Sequence, residues 1–216
     1  MVCSNCKQAG HNKRSCTTKL KISCEEDKMK KQKKEDKYTQ EILSQQYKSH
    51  MSYVLQIKET SALIGLKLRL PSIPEYISEN IIKYIIQFKL GDKTTSWNCE
   101  KGDLFSEIEG IQECKCFTSD GPLSFTPTSE WDVIYFLDAR KWLSNHFVLY
   151  KSELRRTSDE WKNIKMNKKQ SFDEQCKQGR RPRICWETLT PQLSSYITKI
   201  YEGTFEDIFI PLEEEA

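Results

Sequence analysis

Nowhere does the sequence come near the roughly 18 apolar residues in a row that a membrane-spanning helix requires. Nor does it open like a signal peptide, because its first residues are polar and cysteine-bearing. A soluble, intracellular protein of cytoplasm or nucleus is therefore expected, with no membrane partner. Charge of one sign is equally scarce: 34 Lys and Arg stand against 31 Asp and Glu, a formal net charge of +3. Net charge gives no case for nucleic-acid binding, so any such case rests on where the charges cluster. No internal repeat is visible, which leaves no sign of a repeat architecture. What the chain does have is cysteine, nine in all and hence an odd number. Four residues of the metal-binding type fall within the first sixteen, a pattern that favours reduced thiols and zinc over a disulfide framework. At 216 residues there is room for one compact domain of about 100–150 residues and a small appendage.

The appendage comes first. Cys3, Cys6, His11 and Cys16 are spaced C-x2-C-x4-H-x4-C. Zinc takes four such ligands in a tetrahedron, and spacings this short let a small loop wrap one ion without an apolar core. Gly10 supplies the tight turn before the histidine. The arrangement resembles the CCHC zinc knuckle, departing from it at Lys7, where an aromatic or small residue usually stands. That resemblance implies a structural Zn²⁺ and a grip on single-stranded nucleic acid, with Lys13 and Arg14 placed to meet phosphate. Protein binding by the knuckle, and free cysteines at a frayed terminus, are the alternatives. Residues 1–17 are read as the knuckle. Residues 18–36, with Lys28, Lys30, Lys31, Lys33 and Lys34 in one run, are read as a lysine-rich linker.

From residue 37 to 212 a single domain is expected. Lys37 to about Lys58 lacks Gly and Pro and carries Tyr38, Ile42, Leu43 and Tyr47 as one helical stripe. A second, buried helix is expected from Pro74 to Leu90, with Ile77, Ile81, Ile82, Ile85 and Ile86 at helical spacing and Gly91 past its end. Gly102, Gly110 and Gly121 then punctuate short alternating runs, as two or three paired strands require. The continuously apolar run Val133 to Leu137 predicts a strand covered on both faces, and Phe147 to Leu154 a neighbour. A short helix over 158–167 with Ser158 as N-cap, a strand over 182–186 and a closing helix over 187–201 complete the pattern. This order suggests an α/β sandwich.

Within it, Lys101-Gly102-Asp103-Leu104 is followed ten residues later by Glu113-Cys114-Lys115. Side chains alternate along a strand, so Glu113 and Lys115 share a face, roughly 7 Å apart, while Cys114 turns away. With Asp103 on a paired strand, the two carboxylates make a hard-oxygen pocket suited to Mg²⁺, and the lysine stands beside it. Phosphodiester hydrolysis needs an oriented water and relief of the negative charge that grows on phosphate, which these residue types supply. The set matches the motif of PD-(D/E)XK nucleases, with Gly-Asp in place of Pro-Asp.

Longer stretches carry a more specific resemblance: Cys116 to Phe125, Trp131 to Asp138, and Gln175-Cys176-Lys177-Gln178-Gly179-Arg180-Arg181-Pro182-Arg183. From Gly102 to Leu189 the chain is similar to a family of small type II restriction endonucleases that cut short GC-rich sites. The resemblance implies an α/β restriction-endonuclease-like core, a central mixed sheet flanked by helices, together with Mg²⁺ and cleavage within double-stranded DNA. Ser119 and Ser124, around the Gly-Pro turn after the catalytic strand, are candidates for a phosphate clamp, or belong to an ordinary polar turn. Lys177, Arg180, Arg181 and Arg183 are candidates for DNA contacts, or a solvated charge run. Glu75 and Glu79, with Glu79 the weaker choice, are candidates for an extra carboxylate or simply face water, and His146 is read as packed or capping rather than catalytic. A homodimer is expected, since one active site cuts one strand. The rival reading is a non-catalytic zinc-knuckle adaptor that binds nucleic acid, with the sheet domain as scaffold.

Overall fold

The computed structural model describes residues 37–97 and 102–211. Cys3, Cys6, His11, Cys16, Lys13 and Arg14, and the linker 18–36, therefore lie outside the described residues. The chain divides into two compact units, Met1–Lys37 and Tyr38–Ala216, and the helices and strands of the described residues all belong to the second.

Two helices lead. In α1 (Gln40–Ile64) the Thr39 side chain caps the start by accepting from the Ile42 N–H, and Gly65, at φ 66°, closes the end. The helix runs past Lys58 because nothing before Gly65 breaks it. Leu43, Tyr47 and Val54 are its buried residues. Beyond them Leu63 is 87% exposed and Leu66 in the following turn 63%. In α2 (Glu75–Lys89), begun by Pro74, all five predicted isoleucines are fully buried. Lys83 is buried with them. Its Nζ donates to the Tyr38 carbonyl at 3.0 Å and stands 4.3 Å from the Tyr84 ring centre, so an ammonium pins the chain where this unit begins.

The main sheet has six strands: β1 (Ser96–Trp97), β2 (Leu104–Ser106), β3 (Gly110–Phe117), β5 (Val133–Asp138), β6 (Phe147–Ser152) and β8 (Thr198–Gly203), in the order β1-β2-β3-β5-β6-β8. Neighbours are antiparallel except β3 and β5, which are parallel. A separate antiparallel pair joins β4 (Leu123–Ser124) to β7 (Arg183–Ile184). Short helices α3 (Asp159–Lys162), α4 (Phe172–Lys177) and α5 (Trp186–Leu189) lie in the C-terminal half.

β5 explains the two layers. Its Val133, Tyr135 and Leu137 join a core with Leu43, Tyr47 and the α2 isoleucines. The alternate residues Ile134 and Phe136 join a second core with Phe125, Trp161, Phe172, Trp186 and Leu189. A strand with apolar neighbours on both faces needs no polar alternation, which is why its sequence is continuously apolar. The mixed α/β architecture with a central sheet flanked by helices is the one expected. Among the described residues no helix is long and apolar enough to cross a membrane.

Two expectations fail. The closing helix over 187–201 stops at Leu189, turns as a 3-10 segment over Thr190–Leu193 with Pro191 in its first turn, and gives way to β8. Thr198, Lys199 and Tyr201 pair along β6, with the register shifting past Ile200, and close that side of the sheet. The helix over 158–167 shrinks to α3, capped as expected by Ser158. The helix α4, not anticipated, starts on a capping box between Ser171 and Glu174.

Candidate active site

Gly102 sets the approach. At φ 73° it occupies a left-handed conformation, and a Cβ there would stand 2.6 Å from Ile111 Cγ2. Asp103 follows, its N–H donating to the Gln112 carbonyl at 3.1 Å. The register that pairs Leu104 with Gln112 places Asp103 across from Glu113. Asp103 Oδ2 accepts the Cys114 N–H at 2.7 Å, and Lys115 Nζ donates to Glu113 Oε1 at 2.5 Å. The side chains of this last pair are 17% and 6% exposed. Cys114 faces the core of α1 and α2. Lys115, on the opposite face, lies 5.7 Å from the centre of the Phe125 ring. The structure therefore brings Asp103, Glu113 and Lys115 together.

Burial and the neighbouring charges shift all three groups. Burial raises the Asp103 carboxyl, against the lowering effects of the Cys114 N–H and Lys115. Burial likewise raises Glu113, partly offset by Lys115 and reinforced by Asp103. For Lys115, burial works to lower the ammonium, but Glu113 and Asp103 outweigh it and the net shift is upward. Glu79, from α2, is pushed up to about 7, chiefly by burial, with Asp103 and Glu75 adding to it and the Trp97 N–H opposing. Its Oε2 accepts the Trp97 indole N–H at 2.6 Å.

These groups line one cleft of about 690 Å³. Its walls include Glu75, Ser119, Ser124 and Arg181, so four more of the predicted residues converge on it. Arg180 and Arg183 are exposed. Lys177 is turned away onto Asp173 at 2.7 Å, an ordinary i,i+4 pair. His146 faces Glu202 at 3.5 Å and does not line the cleft. Two features escaped the sequence reading. Trp97 holds Glu79. Arg140 gathers Asp138, Asp120 and Glu187 at 2.7, 2.8 and 2.5 Å, tying the loop after β3 to the ends of β5 and α5.

Among the described residues no group of three or more His, Cys, Asp or Glu is arranged to hold a metal ion. The donor set of two carboxylates nevertheless fits a hard divalent cation. Asp103 and Glu113 are adjacent carboxylates, Asp103 raising the cost of ionising Glu113, and Asp103 Oδ1 and Glu113 Oε2 accept no hydrogen bond among the described residues.

The family model described as Bsp6I restriction endonuclease matches residues 23–189. That is most of the chain, which belongs to this family of restriction endonucleases. It is 31% identical over 131 residues to the type II restriction enzyme Bsp6I of Bacillus sp. (strain RFL6), covering 59% of this chain and 70% of that enzyme. No solved structure matches it significantly.

Proposed function

We propose that this protein is a Mg²⁺-dependent, site-specific type II endonuclease that hydrolyses phosphodiester bonds of double-stranded DNA. It does so on a PD-(D/E)XK core with Asp103, Glu113 and Lys115 as active site. The observation that carries this is the convergence of two buried carboxylates and an ammonium at one cleft, in a member of a restriction endonuclease family.

Asp103 and Glu113 hold the cation, with Glu79 as a third carboxylate within electrostatic reach of Asp103. A bound Mg²⁺ supplies charge neutralisation for the phosphate and a more acidic water. Lys115, whose pKa is raised, stays protonated at neutral pH. It is therefore a hydrogen-bond donor and not a base, orienting the attacking water and offsetting charge as the bond from water to phosphorus forms and the leaving oxygen departs. Ser119 and Ser124 offer hydroxyls to the flanking phosphate, and Arg180, Arg181 and Arg183 meet the duplex. A duplex cut in both strands needs two such sites, which a homodimer supplies, and the exposed Leu63 and Leu66, at and just past the end of α1, are candidates for its contact. The N-terminal knuckle holds Zn²⁺ through Cys3, Cys6, His11 and Cys16 and grips single-stranded nucleic acid.

Nicking of supercoiled plasmid with Mg²⁺, by the full chain and by Asp103→Ala and Lys115→Ala, tests the reading. Cutting by the wild type and loss in both variants is expected. Binding without cutting by the wild type favours the adaptor instead.

A further inference from the structure

The geometry points to the β4–β7 pair as the element that reads base sequence, with Arg181 and Arg183 taking guanine in the major groove. This rests on the reading of the cleft as a site for duplex DNA. One face of the ribbon is fixed to the body: Leu123 and Ile184 are 4% and 3% exposed, and the Phe125 N–H donates to the Pro182 carbonyl at 3.0 Å. The other face is open. Arg181 and Arg183 are exposed while Pro182 and Ile184 between and beyond them are buried, so both arginines leave on one side. Ser124 is the register partner of Arg183, which puts their side chains on the same face. Ser124 and Arg181 line the cleft that holds Asp103, Glu113 and Lys115. The open face of the ribbon is therefore turned to whatever the cleft binds.

The guanidinium groups are also uncommitted. Arg140 is held by three carboxylates, Arg155 faces Asp132 and Lys177 faces Asp173. Among the described residues Arg181 and Arg183 have no ion-pair partner, although they stand two residues apart and repel one another. The ring of Pro182 restricts the backbone between them. The major groove admits a two-stranded β-ribbon, and the planar guanidinium fork meets O6 and N7 of guanine with two fixed donors, where a lysine ammonium offers only a flexible point charge.

The experiment selects binders from a randomised duplex DNA library, using the full chain with Ca²⁺ in place of Mg²⁺, and sequences what is retained. Cleavage of the selected duplex with Mg²⁺ is measured separately. Arg181→Lys and Arg183→Lys keep the charge and remove the fork. Each is expected to lose discrimination for guanine at particular positions by on the order of ten- to a hundred-fold, with the salt dependence of binding unchanged. Arg181→Ala and Arg183→Ala, run beside the lysine variants, remove the donors altogether, and lysine and alanine variants that both keep the wild-type preference overturn the inference. So does a loss that is uniform across sequences, or a wild type with no sequence preference. A wild type that selects guanine through these arginines but never cuts leaves the inference standing and removes the nuclease reading.

Discussion

Asp103→Asn separates chemistry from architecture, because the replacement keeps the shape and the acceptor for the Cys114 N–H while removing one negative charge. A hydrogen bond to a charged group is worth about 1.5–3 kcal/mol and a neutral one about 0.5–1.5 kcal/mol, so weakening the bond at 2.7 Å costs about 1 kcal/mol. Against this, the variant no longer buries a carboxylate beside Glu113, whose ionisation Asp103 opposes. The metal-free protein should therefore melt within roughly 4 °C of the wild type. Mg²⁺ at ten times its dissociation constant stabilises the wild type by about 1.4 kcal/mol, and this increment should vanish in the variant. Losing a group that stabilises charge in the transition state costs on the order of a hundred- to a thousand-fold in rate. Thermal melts with and without Mg²⁺, run beside plasmid nicking, read all three quantities. An Asn variant that nicks within tenfold of the wild type, or still gains stability from Mg²⁺, refutes the assignment of Asp103 as a ligand.

Glu79→Gln keeps an acceptor for the Trp97 N–H and should stabilise the metal-free protein at alkaline pH. An acid whose folded pKa is raised from 4.5 to about 7 binds a proton on folding between those values. Stability consequently falls as pH climbs through that window and levels off above it. The shift corresponds to about 3 kcal/mol at most, cut by partial exposure to about 1–2 kcal/mol. Urea melts in EDTA should coincide near pH 4.5 and favour the variant at pH 8, and coincidence at both would contradict the burial argument. Gly102→Ala should lower stability by about 1–2 kcal/mol through strain at its positive φ and slow nicking by displacing Asp103; a variant with wild-type melting and rate would show that the position tolerates a side chain. Leu63→Asp combined with Leu66→Asp should convert a dimer to a monomer in sedimentation, whereas a wild type already monomeric at concentrations that cut both strands would remove the homodimer.

The juxtaposition of Asp103, Glu113 and Lys115 was legible because it needs only strand periodicity and a nearby paired strand. β5 was legible for a related reason, since a strand between two cores shows no alternation. β8 was not, because Glu187 to Tyr201 reads equally as a helix until its pairing with the side of β6 is known. The Arg140 cluster joins residues 20 and 47 positions away, and nothing local to either signals it. The hold of Trp97 on Glu79 spans 18 positions and was hidden in the same way. Lys177 was placed with the arginines by proximity in sequence, whereas helical geometry gave it to Asp173.

The parallel pairing of β3 with β5 obliges the chain to travel back the length of the sheet before the second strand can begin, and it does so through residues 118–132, which carry Ser119 and Ser124. A protein assembled this way has an adjustable jaw beside a fixed anvil. Rewriting the exposed residues of the returning segment, while keeping Leu123, Phe125 and Trp131 in the second core, should alter which substrates are gripped while the acid-bearing strand before it keeps its register, so new target preferences are open to evolution or engineering without rebuilding the chemistry.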